Sequence, residues 1–226
     1  MSDKAIVVRN LTRRYGYRVA LRKVSFEFSE RGIQGLFGAN GAGKTTLFRV
    51  LSTLLRPHGG TINILGYNIE QNPDEIKKRI GLLIDKPLLY QELTGSENLK
   101  FYSKLYGLSK DVFEDNMNEL AKRFEVNTWL EETVKNLSTG MRKRLDIVRS
   151  LLHNPELLLL DEPFSGLDKD SASIFKDYLE ENRKKRTTIV TTHNLLLGSE
   201  LCDEFVTLRK GKVIGQGPIS EFEQTL

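Results

Sequence analysis

The sequence predicts an α/β fold built on a mostly parallel sheet, with a strand-rich N-terminal part and a helical insert, on three observations. Short apolar or alternating runs crowd the first sixty-odd residues, helical periodicity takes over from about 95 to 153, and beyond it strand-like and helix-like segments alternate. Strands that alternate with helices pair most readily as parallel neighbours. At 226 residues with 39% hydrophobic composition the chain can bury one good core, so one domain spanning 1–226 is expected, with the insert inside it.

In chain order, 5–8 and 61–64 are short strand candidates, and Val24, Phe26 and Phe28 alternate with Ser25, Glu27 and Ser29 as in a strand with one buried face. The apolar segment 33–37 predicts a strand and 46–54 a helix. In the insert, Phe101, Leu105 and Leu108 recur at i, i+4 and i+7, and 111–125 and 140–153 carry mixed charges on similar periods. Then come LLLL at 157–160, a helix from about Lys169, the β-branched run TTIVTT, a short helix and strand candidates at 205–208 and 212–214. No internal repeat or long linker interrupts this order.

Composition excludes several classes. The longest uninterrupted apolar runs, 157–160 among them, have four residues, against about twenty for a membrane-spanning helix. The first ten residues, MSDKAIVVRN, lack the apolar stretch of a secretory signal, and Cys202 is the single cysteine, so a reducing cytosol is the expected setting. The net charge of +4 is spread among acidic residues, and no nucleic-acid partner is expected. Two basic runs, 142–144 and 183–186, fall on predicted helix; cations at a helix C-terminus account for the second through the macrodipole.

Residues 38–46 read GANGAGKTT, which satisfies G-x-x-x-x-G-K-[ST] between a strand candidate and a helix candidate. In that context Gly38, Gly41 and Gly43 let a loop that includes Asn40 wrap a polyphosphate with backbone N–H groups pointing inward, and the helix start at Thr46 adds its dipole. Lys44 reaches terminal phosphates, and the Thr45 hydroxyl suits Mg²⁺, a hard cation that prefers oxygen. The fold class is therefore a P-loop NTPase. Farther along, 157–160 reads as a buried strand that ends in Asp161-Glu162-Pro163. Ligands of open α/β sheets sit at such carboxyl ends, which places Asp161 for Mg²⁺ and Glu162 to orient or deprotonate an attacking water. Taken alone, acidic turn residues at a strand end are unremarkable; downstream of a P-loop they are not.

Between these elements lies Leu137-Ser138-Thr139-Gly140-Met141, and beyond them Ser165-Gly166-Leu167-Asp168 and His193. With this order of motifs, essentially the whole chain resembles the ATP-binding subunits of ABC transporters. The resemblance implies a P-loop NTPase core with an N-terminal antiparallel β-subdomain, and Mg-ATP as cofactor. It implies nucleotide binding by Tyr15, Lys44, Thr45, Ser138, Gly140 and Asp168, and catalytic roles for Glu162 and His193. Tyr15 resembles the family's aromatic platform for adenine, with Tyr17 a nearby rival.

Two departures from the family pattern stand out. Thr139 and Met141 replace the second Gly and the Gln of the commonest LSGGQ signature, and Asp85, in IGLLIDKPLLY, stands where a Gln usually senses Mg²⁺. Aspartate keeps an oxygen ligand there but is shorter and charged. Both features resemble export-type ATPases of the bacitracin, lantibiotic and multidrug kind. The resemblance further implies a head-to-tail dimer with two composite sites, a separate membrane permease docking on 85–106, and a cytoplasmic position against the inner face of the membrane. The alternative is a soluble ABC-type ATPase that remodels a protein assembly without transport. A GTP-binding switch is disfavoured by the absence of an N-K-x-D guanine motif.

Overall fold

The computed structural model of the protein describes residues 4–193 and 195–225. They form two compact units: residues 4–80, 156–163, 183–193 and 195–225 make the first, and 81–155 with 164–182 the second.

The first unit contains two sheets. Strands β1 (Lys4–Tyr15) and β2 (Arg18–Ser29) form a long hairpin, and β4 (Gly59–Ile64) and β5 (Tyr67–Asn68) extend it in the order β2-β1-β4-β5. Their pairings are antiparallel throughout. The alternation in β2 does what it predicts: Val24, Phe26 and Phe28 are buried, while Ser25 is exposed and Glu27 and Ser29 half-buried.

The second sheet holds β3 (Gly32–Phe37), β7 (Leu157–Asp161), β8 (Thr187–Thr191), β9 (Glu204–Arg209) and β10 (Lys212–Pro218) in the order β10-β9-β3-β8-β7, with β6 (Ile80–Leu83), where the chain leaves the unit, at the end of the order. The pairs β9-β3, β3-β8 and β8-β7 are parallel, and β10 pairs antiparallel with β9. Leu157, Leu158, Leu159 and Leu160 are fully buried, as a strand covered on both faces demands, each contributing about 1.5–3 kcal/mol of transfer free energy. Helix α1 (Lys44–Leu51) packs here through Leu47, Phe48, Val50 and Leu51. It starts and ends earlier than its predicted span of 46–54, because Gly43 opens it at φ 114° and Thr53 turns left-handed at φ 64°.

The second unit is helical. After the short helix α2 (Pro73–Lys77) of the first unit come α3 (Gly95–Leu105), α4 (Lys110–Arg123), α5 (Thr139–Leu151) and α6 (Lys169–Asn182). Thr94 and Glu97 form a reciprocal capping box at the start of α3, and Ser109 caps α4. Phe124 lies 5.9 Å from Phe175 and 5.6 Å from Tyr178, both on α6.

Two expectations need correction. Of the i, i+4, i+7 residues, Phe101 and Leu105 lie in α3 but Leu108 falls beyond its end at Leu105; Phe101 and Leu105 are 40% and 67% exposed, and the buried positions of α3 include Asn98, Leu99 and Ser103. Periodicity reveals a stripe without saying what covers it. The basic run 183–186 lies in the turn after α6 rather than in helix, where Arg183 donates to Asp203 at 2.6 Å. A carboxylate of the sheet unit, not the helix dipole, takes up that charge. The other basic run, 142–144, is in α5 as predicted.

Candidate functional site

The P-loop leads from β3 into α1 as its spacing predicts. Gly38 and Gly43 adopt φ of 142° and 114°, and a Cβ on Gly38 would stand 2.3 Å from the Leu208 carbonyl oxygen. A side chain at either position would be strained, so glycine is required for this path. Asn40 and Gly41 form the exposed tip, and Thr46 is half-buried in the first turn of α1. By helix geometry, the first N–H groups of α1 have no intrahelical partner and face any anion held by the loop. Lys44 is only 8% exposed and folds back along the loop, donating from Nζ to the Gly38 carbonyl at 2.6 Å and the Ala39 carbonyl at 3.3 Å.

The second cluster meets the loop at the carboxyl ends of β7 and β8. Thr45 Oγ1 donates to Asp161 Oδ2 at 3.1 Å, and Thr191 Oγ1 donates to Asp161 Oδ1 at 2.5 Å. The same Thr191 oxygen accepts from the Glu162 backbone N–H at 3.0 Å. Glu162 has φ 46°, a left-handed conformation that costs a residue with a Cβ about 1–2 kcal/mol. That twist separates the two carboxylates: Asp161 turns to Thr45, while Glu162 Oε2 lies 2.9 Å from His193 Nδ1. Asp161 is nearly buried, and the His193 side chain is 76% exposed. Thr45, Asp161, Glu162 and His193 thus lie along one chain of hydrogen bonds through Thr191.

Sequence reasoning missed Thr191. Its position in TTIVTT reads as β-propensity, and only the register that sets Asp161 opposite Thr191 reveals its role. The oxygen donors of Thr45 and Asp161 fit Mg²⁺, which is held by one or two carboxylates plus phosphate oxygens rather than by an all-protein cage. At Gly38 and Gly43 a Cβ would collide with Leu208 and with Leu21 and Ala20, so glycine lets the loop pack closely against its own neighbours.

Tyr15 ends β1 at 43% exposure with the Arg13 guanidinium 5.3 Å from its ring centroid, whereas Tyr17 in the hairpin turn is completely exposed.

The remaining candidates belong to the second unit. Ser138 caps α5, its Oγ accepting from the Met141 N–H at 3.2 Å. Gly140 lies beside the turn at Gly166, whose carbonyl oxygen would be 3.4 Å from an added Cβ. Asp168 precedes α6 and accepts from the Ser171 N–H at 2.8 Å and hydroxyl at 3.0 Å. Those two bonds, the backbone one foremost, hold its carboxyl below the ordinary range. Asp85 is exposed in the loop after β6.

A glycine-rich loop carrying a buried lysine, with a hydroxyl hydrogen-bonded to a strand-end aspartate, defines a P-loop nucleotide-binding protein. The chain belongs to the ABC transporter family, whose pattern matches residues 21–165. It is 34% identical over 208 residues to the ABC transporter ATP-binding protein NatA of Bacillus subtilis, covering 91% of this chain and 85% of that one. It is 33% identical over 217 residues to the bacitracin transport ATP-binding protein BcrA of Bacillus licheniformis, covering 95% and 70%. A solved ATP-binding subunit of an ABC transporter superposes with a TM-score of 0.91 at 30% identity, covering 97% of this chain and 92% of that one. The resemblance to bacitracin-type ATP-binding proteins stands with these relatives, and no helix of the described residues is long and apolar enough to cross a membrane.

Proposed function

We propose that this chain binds Mg-ATP in the loop 38–46, hydrolyses it, and so powers export through a separate membrane-spanning subunit. The observation that carries this reading is the hydrogen-bonded series Thr45–Asp161–Thr191–Glu162–His193 at the carboxyl ends of parallel strands. It joins an oxygen pair suited to a hard cation to a carboxylate aimed elsewhere.

In this reading Lys44 exchanges the Gly38 and Ala39 carbonyls for terminal phosphate oxygens, while the N–H groups from Asn40 to Thr46 wrap the phosphates. Thr45 and Asp161 would hold Mg²⁺, with Asp85 a further oxygen donor, and the ion would supply charge neutralisation on the phosphates. Glu162 Oε accepts the proton of the attacking water, and His193 holds that carboxylate in position. Tyr15 offers its ring to the adenine. Ser138, Gly140 and Asp168 act from a second copy, so that two sites form across a head-to-tail homodimer. A closed dimer that grips nucleotide with both halves opens once that differential affinity is lost, and the membrane subunit converts the motion into transport.

Docking of that subunit on 85–106 is supported by the exposure of Tyr90, Phe101 and Leu105, large apolar side chains on one stretch of the second unit. The chain then works at the cytoplasmic face of the membrane. The name of its bacitracin-transport relative supports transport, and the export direction rests on the departures at Thr139, Met141 and Asp85 that resemble export-type ATPases.

Glu162→Gln tests the chemistry. It should lower turnover by about 10²–10⁴ while ATP binding persists, and with ATP and Mg²⁺ it should accumulate as a dimer by light scattering. Near-normal turnover would remove Glu162 from the catalytic role. An integral membrane protein that co-purifies with the chain from detergent extracts is the companion result expected for transport.

A further inference from the structure

Helix α5 contains a buried ion pair. Asp146 and Arg149, one turn apart, are 0% and 1% exposed, and Arg149 Nε donates to Asp146 Oδ1 at 2.6 Å. Asp146 Oδ2 is buried with no hydrogen-bond partner, and burial pushes this carboxyl above its ordinary range against the pull of Arg149. Well-packed apolar residues commonly serve stability as well as a buried pair does. What the pair does hold is backbone.

Arg149 Nη2 donates to the Leu82 carbonyl of β6, and Asp146 Oδ1 accepts from the Leu88 N–H at 3.3 Å. From α3, Tyr102 donates its hydroxyl to the Leu88 carbonyl at 2.7 Å and places its ring 4.9 Å from the Arg149 guanidinium. Asn98 secures the next step, accepting from the Tyr90 N–H at 2.8 Å and donating to its carbonyl at 3.0 Å. The segment is thus tied at Leu82 before Asp85 and at Leu88 and Tyr90 after it, and Asp85 to Pro87 between these ties are exposed. The helix that supplies both charges begins at the cap residue Ser138, about 12 Å up the axis from Asp146 by helix rise.

We infer that Asp146 and Arg149 are positioning residues that fix the Asp85 loop to the helix starting at Ser138, so that displacement of one is transmitted to the other. This rests on the roles proposed above for Asp85 and Ser138. A buried charge pair suits the task because its geometry is directional, whereas apolar packing would let the loop slide over α5. Tyr102 and Asn98 brace the same segment from α3.

The test is hydrogen–deuterium exchange of the full chain, wild type against Asp146→Asn and Tyr102→Phe, read together with ATP hydrolysis. Asp146→Asn should speed exchange across 83–89 about tenfold or more while leaving β7 protected, as expected for local rather than global opening. Tyr102→Phe loses only one hydroxyl, should act in the same place with a smaller factor, and keeps the test decisive if Asp146→Asn does not fold. In hydrolysis, Asp146→Asn should lower kcat with little change in KM for ATP, and its effect should not add to that of Asp85→Ala, the mark of two residues acting through one element. Unchanged exchange at 83–89 in the folded variants, uniform acceleration that includes β7, or effects that add to those of Asp85→Ala would overturn the inference. If wild-type protein shows no hydrolysis, the ATPase reading falls, and the exchange pattern alone still decides whether the pair holds the loop.

Discussion

The two units carry their candidate residues in opposite ways. In the sheet unit the polar side chains bond to one another: Thr45 to Asp161, Asp161 to Thr191, Thr191 to the Glu162 backbone, Glu162 to His193. In the helical unit, among the described residues, the Ser138 and Asp168 side chains hydrogen-bond at their own helix starts, and Asp85 is exposed in a loop. A connected cluster is a site already assembled within one chain. Residues that satisfy only local backbone, and still match a family signature, are those expected to find their ligand on another molecule. On the function proposed above, the difference corresponds to a phosphate-binding half assembled within one chain and a complementary half that acts on a second copy.

The largest effect on this contrast should come from Lys44→Ala. It removes the cation that closes on the Gly38 and Ala39 carbonyls; charged hydrogen bonds of this kind contribute about 1.5–3 kcal/mol each. ATP affinity should fall about 100-fold or more in equilibrium binding, since each ~1.4 kcal/mol is a factor of ten. An unchanged Kd would mean that the sheet unit's cluster is not the primary nucleotide site.

Thr191→Val keeps the shape and removes the hydroxyl that serves both Asp161 and the Glu162 backbone. Leaving buried partners unsatisfied costs about 1–3 kcal/mol, so the melting temperature should drop by about 2–12 °C. The Mg²⁺ concentration for half-maximal hydrolysis should rise. A variant that melts and titrates like wild type would show the series to be two independent contacts.

The smallest effect on binding is expected from the helical unit. Asp85→Ala should change ATP affinity of the isolated chain by less than about twofold, well under 1 kcal/mol, while hydrolysis coupled to a membrane partner falls. If affinity fell as far as in Lys44→Ala, Asp85 would belong to the primary site and the contrast between the units would collapse.

What the sequence made legible follows the same division. The P-loop could be read because its glycines, lysine and threonine occupy fixed offsets between a strand and a helix, and 157–160 with its acidic end could be read because a doubly covered strand is a continuous apolar run. Ser138 could be read as a helix cap from residue type alone. Thr191 could not, since it lies thirty residues from Asp161 and a threonine in a β-run carries no signal of what its hydroxyl meets. The pairing of Glu162 with His193 depends on a left-handed backbone turn that no local pattern announces. Asp146 and Arg149 were hidden because charged residues on a mixed-charge helix read as a solvated face, whereas these are buried. The Phe101 and Leu105 stripe shows the reverse, with apolar periodicity on a face left exposed.

The central claim is that one ATP is gripped by Lys44 of one chain and Ser138 of another, and complementation tests it most directly. Lys44→Ala and Ser138→Arg chains, the second placing a bulky side chain where close phosphate approach is needed, should each be inactive alone. A mixed dimer combines one doubly damaged site with one that has intact Lys44 from one chain and intact Ser138 from the other. With random pairing at equal amounts and independent sites, mixing should restore up to about a quarter of the wild-type rate. Mixed dimers that form with ATP yet remain inactive would contradict the account.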